Sequence, residues 1–267
     1  MRRYHRPPLK PQANRYLSKK TREVRLMETA QRKREIRRIW DQARQTKSIK
    51  KHVLQALRGM VGKRERCMYC EDSRGTDIDH FWPKSTYPEK TFDWPNMLLS
   101  CTPCQRAKGD SFPLDATNQP LLIDPTREDP WAFLFFVPET GMVTPRYNKD
   151  TEQEEPKGSK TVELLPLNVE AVTEGRKATH RNLVAAVTAF LSSSGDHGEN
   201  PDPQAVTELK RAVRDNSQYG LAVWSLSGDG QRREPFQGLK SRHPGLLDDL
   251  RACAGVARER PGPDCAR

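Results

Sequence analysis

Four cysteines constrain this 267-residue chain more than any other feature. They form two Cys-x-x-Cys pairs, Cys67/Cys70 and Cys101/Cys104, separated by the thirty residues 71–100. Two such pairs supply the four thiolates of a tetrahedral zinc site, because each pair can present both sulfurs to one ion from a tight turn. The spacing therefore predicts a structural zinc ion that fixes both ends of a short segment with little need for a hydrophobic core.

The predicted compartment supports metal binding rather than disulfide formation. The N-terminal sequence lacks the apolar stretch of a secretory signal, and no window of about eighteen apolar residues could span a membrane. We therefore expect a cytoplasmic protein without membrane association, in which paired cysteines bind metal more often than they form disulfides. The isolated Cys253 and Cys265 are interpreted as ordinary thiols.

Positive charge is concentrated in the N-terminal quarter of the chain. The net charge is +11, but residues 1–66 carry 22 Lys and Arg against 5 Asp and Glu, a balance of +17, so the remainder sums to −6. Such a region is typical of proteins that approach nucleic acid, and it fits a solvated helix surface equally well. Charge thus indicates an affinity for phosphate and no particular reaction.

The residues between the cysteine pairs predict a strand, a loop, a second strand and a short helix. Asp77–His80 alternates polar and apolar residues, prolines turn the chain within residues 81–88, and the apolar run 97–99 follows Asn96. The helix after the second pair is expected to end at Gly109. A rigid platform of this kind suits a small catalytic site.

On this platform, Asp79 and His80 have side chains suited to phosphodiester hydrolysis. A neutral imidazole can take a proton from water near pH 7. A carboxylate can hold a divalent ion that neutralises charge developing on phosphate. A lone histidine is more often structural, but this one lies between two zinc-binding pairs.

The segment resembles the HNH, or ββα-metal, nuclease family. That family's pattern is a Cys-x-x-Cys pair, an Asp-His, a central Asn, a second pair followed by Asn or His, and a Lys. The matching positions here are Cys67/Cys70, Asp79-His80, Asn96, Cys101/Cys104, Gln105 and Lys108.

The resemblance implies a role for each candidate catalytic residue. His80 would be the general base, Asp79 would ligate a catalytic Mg²⁺ or Mn²⁺ ion, and Asn96 would orient the loop or His80. Gln105 departs from the family's Asn or His: it keeps the amide oxygen but adds one methylene, so it could ligate the ion directly or through water.

A narrower resemblance is to the HNH subunits of Septu-type anti-phage systems, over roughly residues 1–190. It implies a partner, an ABC/SMC-like ATPase that forms a complex with the nuclease. The stretches that carry it are RRYHRPPLKP, IDHFWPKSTYP, DWPNMLLSCTPC, KGDSFP, LLIDPTREDP and KTVELLPLN.

Three basic residues near the expected site are candidate phosphate contacts: Lys84, Arg106 and Lys108. Contacts of this type are salt-sensitive and largely independent of sequence. No predicted element is typical of a recognition helix that reads base edges, so strong sequence specificity is not expected.

The predicted fold is α+β, with a zinc-held ββα-metal core flanked by mostly helical segments. Residues 1–18 are expected to form an extended arm, and a single helix is expected from Lys19 to Ala43. The predicted segments are 1–66 (basic arm and helices), 67–115 (nuclease core), 116–191 (an α+β extension) and 192–267 (linker, helix and disordered tail).

The sequence thus predicts a metal-dependent HNH endonuclease that cleaves nucleic acid, DNA in preference to RNA, within an anti-phage complex. Two alternatives stay open. One is an HNH nuclease that cleaves RNA or tRNA, because the same base, water and metal serve either backbone. The other is a non-catalytic zinc module that binds nucleic acid or a partner, with Gln105 marking a decayed site.

Overall fold

The computed structural model describes residues 1–194 and 201–255. Within this part of the chain, helices far outnumber strands, and the strands pair into three small sheets. The predicted α+β class is confirmed. By its internal contacts the chain divides into two compact units, residues 1–135 with 143–169 and residues 136–142 with the described residues from 170 onward. The four segments predicted from the sequence stay a prediction.

The first unit contains five α-helices and most of the strands. Its helices are α1 (Pro11–Leu26), α2 (Thr29–Arg44), α3 (Leu54–Val61), α4 (Thr102–Lys108) and α5 (Pro156–Leu164). A π-helical turn, Ser48–Val53, leads into α3. The strands are β1 (Asp77–His80), β2 (Met97–Ser100), β3 (Leu134–Val137), β4 (Met142–Pro145), β5 (Tyr147–Asn148) and β6 (Gln153–Glu154). The pairs are β1–β2, β3–β4 and β5–β6, and the tip of the β3–β4 hairpin belongs to the second unit.

The N-terminal region differs from its prediction in two ways. The extended arm is wrong beyond residue 10, because α1 begins at Pro11, whose fixed φ suits the first turn of a helix. The single predicted helix is also wrong, because Met27 and Glu28 have extended backbones that separate α1 from α2. The Arg32 guanidinium donates to the carbonyl oxygen of Met27, which satisfies an end group of α1 at this break.

The segment between the cysteine pairs and the residues that follow it have the predicted order of strand, loop, strand and helix. β1 and β2 are antiparallel, with Ile78 opposite Leu99 and His80 opposite Met97. Every residue of β2 is buried, so this strand anchors the segment in the core of the first unit. α4 follows directly and ends at Gly109, whose positive φ of 51° favours glycine. The secondary structure is confirmed here, and its identity with an HNH core stays a prediction.

The second unit is a group of five helices. They are α6 (Glu170–Ser193), α7 (Pro203–Asp215), α8 (Leu221–Ser227), α9 (Phe236–Arg242) and α10 (Pro244–Cys253). The sequence predicts one helix after residue 192, which α7 matches, whereas α8, α9 and α10 lie where no helix is predicted. Cys265 and the end of the predicted disordered tail, like most of the predicted linker, lie outside the described residues.

None of the helices in the described part of the chain combines the length and apolar character needed to cross a membrane.

Candidate metal centre and catalytic cavity

The four paired cysteines meet at one buried point. Their sulfur atoms all lie within 4.8 Å of one another, and the Sγ atoms of Cys70 and Cys101 are 3.8 Å apart. Four sulfurs at about 2.3 Å from a tetrahedral zinc ion lie about 3.8 Å from each other, so the arrangement fits that ion. The cluster could therefore hold a metal ion, as the spacing predicts, and zinc as its occupant stays a prediction.

Backbone hydrogen bonds fix each cysteine pair beside the β1–β2 sheet. In the first pair, Cys67 donates from its N–H to the carbonyl of Ser73, and Met68 donates to the carbonyl of Leu99 in β2. In the second pair, Cys101 immediately precedes α4, and its carbonyl accepts from the N–H of Gln105. The four-cysteine cluster thus joins the residues that precede β1 to the start of α4.

A polar cavity of about 240 Å³ lies against β1 and α4. Apart from the cysteines, most of the predicted site residues line it: Asp79, His80, Lys84, Gln105 and Lys108. The same wall includes residues that the sequence analysis did not single out, namely Trp40, Asp41, Arg44, Asp77 and Asp110. Two predicted residues lie elsewhere, since Asn96 supports the loop and Arg106 is exposed on α4. We call this space the catalytic cavity, after the role that the sequence predicts for Asp79 and His80.

His80 has a geometry suited to accepting a proton. Its Nε2 lies 2.9 Å from the carbonyl oxygen of Thr91, and because a carbonyl only accepts, Nε2 carries the hydrogen. Nδ1 then keeps its lone pair and has no hydrogen-bond partner among the described residues. Burial lowers the pKa of His80 to about 3, and the positive charges of Lys84 and Lys108 act in the same direction. The imidazole is therefore neutral near pH 7.

Trp40 of α2 holds the other side of this imidazole. The two ring centroids lie 4.5 Å apart in an edge-to-face arrangement, and Phe92 packs against the same indole. Trp40 is 3% exposed, and the sequence analysis interpreted it only as part of the apolar face of a helix. No local pattern could have linked it to His80, because the two residues meet only when α2 packs on the loop.

Asp79 is held by two donors that converge on one carboxylate oxygen. The Tyr69 hydroxyl lies 2.7 Å from Oδ2, and the Lys108 ammonium lies 3.2 Å from it. Burial and the Asp79 charge raise the pKa of Tyr69 well above its ordinary value, so this hydroxyl stays protonated and donates. Asp79 Oδ1 has no hydrogen-bond partner among the described residues and belongs to a side chain that lines the cavity.

Lys108 has a different environment from the one expected of a surface phosphate contact. It is 1% exposed, and its ammonium donates to the carbonyl of His80 at 2.8 Å besides pairing with Asp79. These two bonds tie α4 to the end of β1. A direct contact of Lys108 with nucleic acid stays a prediction, while its structural engagement is a feature that the sequence did not indicate.

Lys84 and Gln105 keep their polar groups available in the catalytic cavity. Both are half-buried, and neither side chain has a hydrogen bond or ion pair with another described residue. Arg44 of α2 reaches Asp77 across the rim at 3.7 Å. The cavity therefore combines oxygen ligands, one cation without an acidic partner and a neutral imidazole.

Asn96 holds the loop that carries the acceptor of His80. Its side chain accepts from the N–H of Trp82 at 2.7 Å and donates to the carbonyls of Trp82 and Lys90, at 3.1 and 3.0 Å. Asn96 is 4% exposed, so water cannot replace these bonds. Its predicted role in orienting the loop fits this geometry and stays a prediction.

Substituting Asn96 with alanine is expected to destabilise the chain by about 2–4 kcal/mol, because three buried backbone groups lose their partners. Urea denaturation of the zinc-loaded protein measures this change. Asn14→Ala, at an exposed position on α1, is the matched control and should shift the free energy of unfolding by less than about 0.5 kcal/mol. Equal stabilities for the two variants would contradict the assigned role of Asn96.

Comparison with known proteins finds similarity to components of the Septu system. In particular, the chain is similar to two proteins named Septu protein PtuB. The one from Bacillus thuringiensis is 32% identical over 108 residues, 39% of this chain and 37% of that relative. The one from Bacillus mycoides (strain KBAB4) is 26% identical over 148 residues, 44% of this chain and 48% of that relative.

These matches confirm the predicted resemblance to a Septu protein, over the matched part of the chain. In each case the matched part spans less than half the length of the relative. No protein-family model matches the chain, and no solved structure does.

Proposed function

We propose that the chain is a metal-dependent HNH endonuclease that hydrolyses nucleic-acid phosphodiester bonds, DNA in preference to RNA, in anti-phage defence. The observation that carries the proposal is the pairing of a neutral, anchored His80 with Asp79 in one polar cavity. The similarity to Septu protein PtuB supports the defence role. The catalytic cavity would hold the phosphate and the water that attacks it.

His80 would act as the general base. Its Nδ1 would take a proton from water, the water oxygen would bond to phosphorus, and the bond from phosphorus to the leaving sugar oxygen would break, with solvent protonating that oxygen. The hydrogen bond from Nε2 to Thr91 and the contact with Trp40 keep the imidazole in one orientation for this transfer. Lys84 would contact the phosphate, because it lines the cavity without an acidic partner among the described residues.

Asp79 and Gln105 would hold a catalytic Mg²⁺ or Mn²⁺ ion. The donor set fits, because a carboxylate and an amide supply the oxygen atoms that these ions prefer. When bound, such an ion stabilises the negative charge that develops on the phosphate during cleavage. Tyr69 and Lys108 orient the Asp79 carboxylate through Oδ2, which leaves Oδ1 for the ion.

The four cysteines would hold structural zinc, and an ABC/SMC-like ATPase would be the partner of the chain. The zinc proposal rests on the fit of the sulfur cluster to a tetrahedral ion. The partner rests only on the likeness to a Septu protein and follows the prediction from the sequence. A cytoplasmic location stays part of the same prediction.

A non-catalytic zinc module is the second candidate. One observation favours it: the Lys108 ammonium already neutralises Asp79, so this carboxylate needs no added cation to be satisfied. In that case the cavity would bind nucleic acid or a partner without cleaving it.

Nicking of supercoiled plasmid, run in parallel with cleavage of a structured RNA, tests the proposal. The purified, zinc-loaded chain is assayed with and without Mg²⁺ or Mn²⁺, alone and with its ATPase partner. We expect cleavage that needs the added ion and that Asp79→Asn reduces at least 100-fold. Cleavage of RNA but not of plasmid would assign RNA, rather than DNA, as the substrate. Failure to cleave either polymer with the partner present would favour the binding module.

A further inference from the structure

A second and larger cavity, of about 690 Å³, lies in the first unit between α1 and the loop that joins β1 to β2. One face of α1 forms a wall, with residues that recur at helical spacing, including Leu17, Thr21 and Arg25. The loop forms the facing wall with residues that include Trp82 and Lys90. We call this space the flanking cavity.

Positive charge is in excess in the flanking cavity. Its two acidic residues each have a basic neighbour: Asp93 lies 3.9 Å from Arg25, and Asp124 lies 3.5 Å from Arg127. Two further cations line the same space. These are Arg22 and Lys90, and neither has an acidic partner among the described residues. The flanking cavity therefore has two positive charges that its own carboxylates do not balance.

The flanking and catalytic cavities adjoin along the chain. Trp82 lines the first, and the next two residues, Pro83 and Lys84, line the second. Consecutive Cα atoms are about 3.8 Å apart, so one continuous stretch of backbone contributes to the walls of both spaces. Asn96 holds this boundary between the two cavities in place, because its side chain forms hydrogen bonds with the backbone of both Trp82 and Lys90.

We propose that the flanking cavity binds the sugar–phosphate backbone of the strand next to the cleaved bond, with Arg22 and Lys90 as phosphate contacts. This inference rests on the proposed nuclease function, which puts the cleaved phosphate in the catalytic cavity. A nucleic-acid strand carries one phosphate per nucleotide, so it meets Lys84 in one cavity and the unpaired cations in the next. An acidic segment of a partner protein is the alternative that the test separates.

The contact is ionic and does not involve base stacking. The Lys90 ammonium lies 4.0 Å from the centre of the Trp82 ring, and Phe112 lies 4.6 Å from that ring. The Arg6 guanidinium likewise lies 4.6 Å from the centre of the Trp94 ring, so both indoles that line the cavity already have partners, and the proposal assigns them no base. Binding in the flanking cavity is therefore independent of base sequence and sensitive to salt.

The test is a titration of a fluorescein-labelled DNA duplex of arbitrary sequence, followed by anisotropy between about 50 and 200 mM salt. The zinc-loaded full chain is used without added Mg²⁺ or Mn²⁺. Arg22→Gln/Lys90→Gln is expected to weaken binding at least about 10-fold and to reduce the slope of log K against log salt by about 2. Arg22→Gln alone, at an exposed position of α1, is expected to reduce the slope by about 1 without disturbing Trp82.

Lys33→Gln/Arg34→Gln is the matched control. It removes the same charge from exposed positions of α2 that line neither cavity, and it should leave the slope unchanged. Equal weakening by both double variants would overturn the proposal, as would unchanged DNA binding by Arg22→Gln/Lys90→Gln. Unchanged DNA binding together with lost binding to the ATPase would assign the cavity to a protein partner.

Plasmid nicking by the unsubstituted chain separates this inference from the proposed function. Nicking combined with an unchanged slope in Arg22→Gln/Lys90→Gln would refute the flanking contact and leave the nuclease standing. A reduced slope of log K against log salt in that variant, with no nicking by the unsubstituted chain even when the ATPase partner is present, would support the phosphate contact and refute the nuclease.

Discussion

Cys101→Ser is expected to abolish metal binding by the purified chain and to unfold the segment between the two cysteine pairs. Apart from two three-residue helical turns, the regular structure of this segment is the two four-residue strands β1 and β2, so metal–sulfur bonds have to supply much of its stability. Structural zinc contributes about 10–16 kcal/mol in small zinc-held domains, and the loss of one of four ligands removes most of the affinity. Elemental analysis of the zinc content and limited proteolysis of residues 71–100 measure the two effects.

Cys253→Ser is the control for that substitution. Cys253 lies in the second unit, outside the four-cysteine cluster, so this variant should keep one zinc per chain and the original proteolysis pattern. Full zinc content and a protease-resistant segment in Cys101→Ser would contradict the assignment of a structural metal site.

Lys108→Met is expected to lower the free energy of unfolding by about 3–5 kcal/mol, which is the usual cost of removing one partner of a buried ion pair. The Lys108 side chain is 1% exposed and Asp79 is 12% exposed, so the remaining carboxylate would lose its cation in a mostly buried position. The carbonyl of His80 would lose a donor as well. Urea denaturation of the zinc-loaded protein without Mg²⁺ or Mn²⁺ measures the change.

Two further variants separate the ion pair from other effects of changing a lysine. Lys84→Met changes a half-buried lysine of the same cavity that has no acidic partner among the described residues, and it should cost less than about 1 kcal/mol. Asp79→Asn combined with Lys108→Met should recover part of the lost stability, because no unpaired charge is left buried. Additive effects of the two substitutions would show that the pair is not coupled.

The sequence predicts those parts of the site whose signals are local. The two Cys-x-x-Cys pairs define the sulfur cluster by ligand type and spacing. The alternation in Asp77–His80 and the glycine after α4 mark the strand and the end of the helix, and all three features are present. Local chemistry decides these elements, so neighbours in the sequence are enough to identify them.

Contacts between distant segments could not be predicted in the same way. Tyr69 occurs in the sequence as one of two intervening residues of a cysteine pair, and only the folded chain brings its hydroxyl to Asp79. Trp40 has the pattern of a core residue, and its contact with His80 depends on how α2 packs. Lys108 looks like a surface lysine in a basic helix end, but packing of α4 on β1 buries it.

The break between α1 and α2 is a further case in which pattern alone was misleading. Apolar spacing continues through Met27, but its backbone is extended, as is that of Glu28. The interruption matters for the site, because it lets α1 line the flanking cavity while α2 brings Trp40 to the catalytic one.

The most direct test of the central claim is the rate of plasmid nicking by the zinc-loaded chain and by His80→Ala at matched zinc content, with Mg²⁺ and the ATPase partner present. A general base contributes about 10²–10⁴-fold to such a rate, so His80→Ala should be slower by that factor while retaining its zinc and its affinity for DNA. Nicking at the same rate by both proteins would contradict the assignment of His80 as the base, and with it the catalytic cavity proposed for this chain.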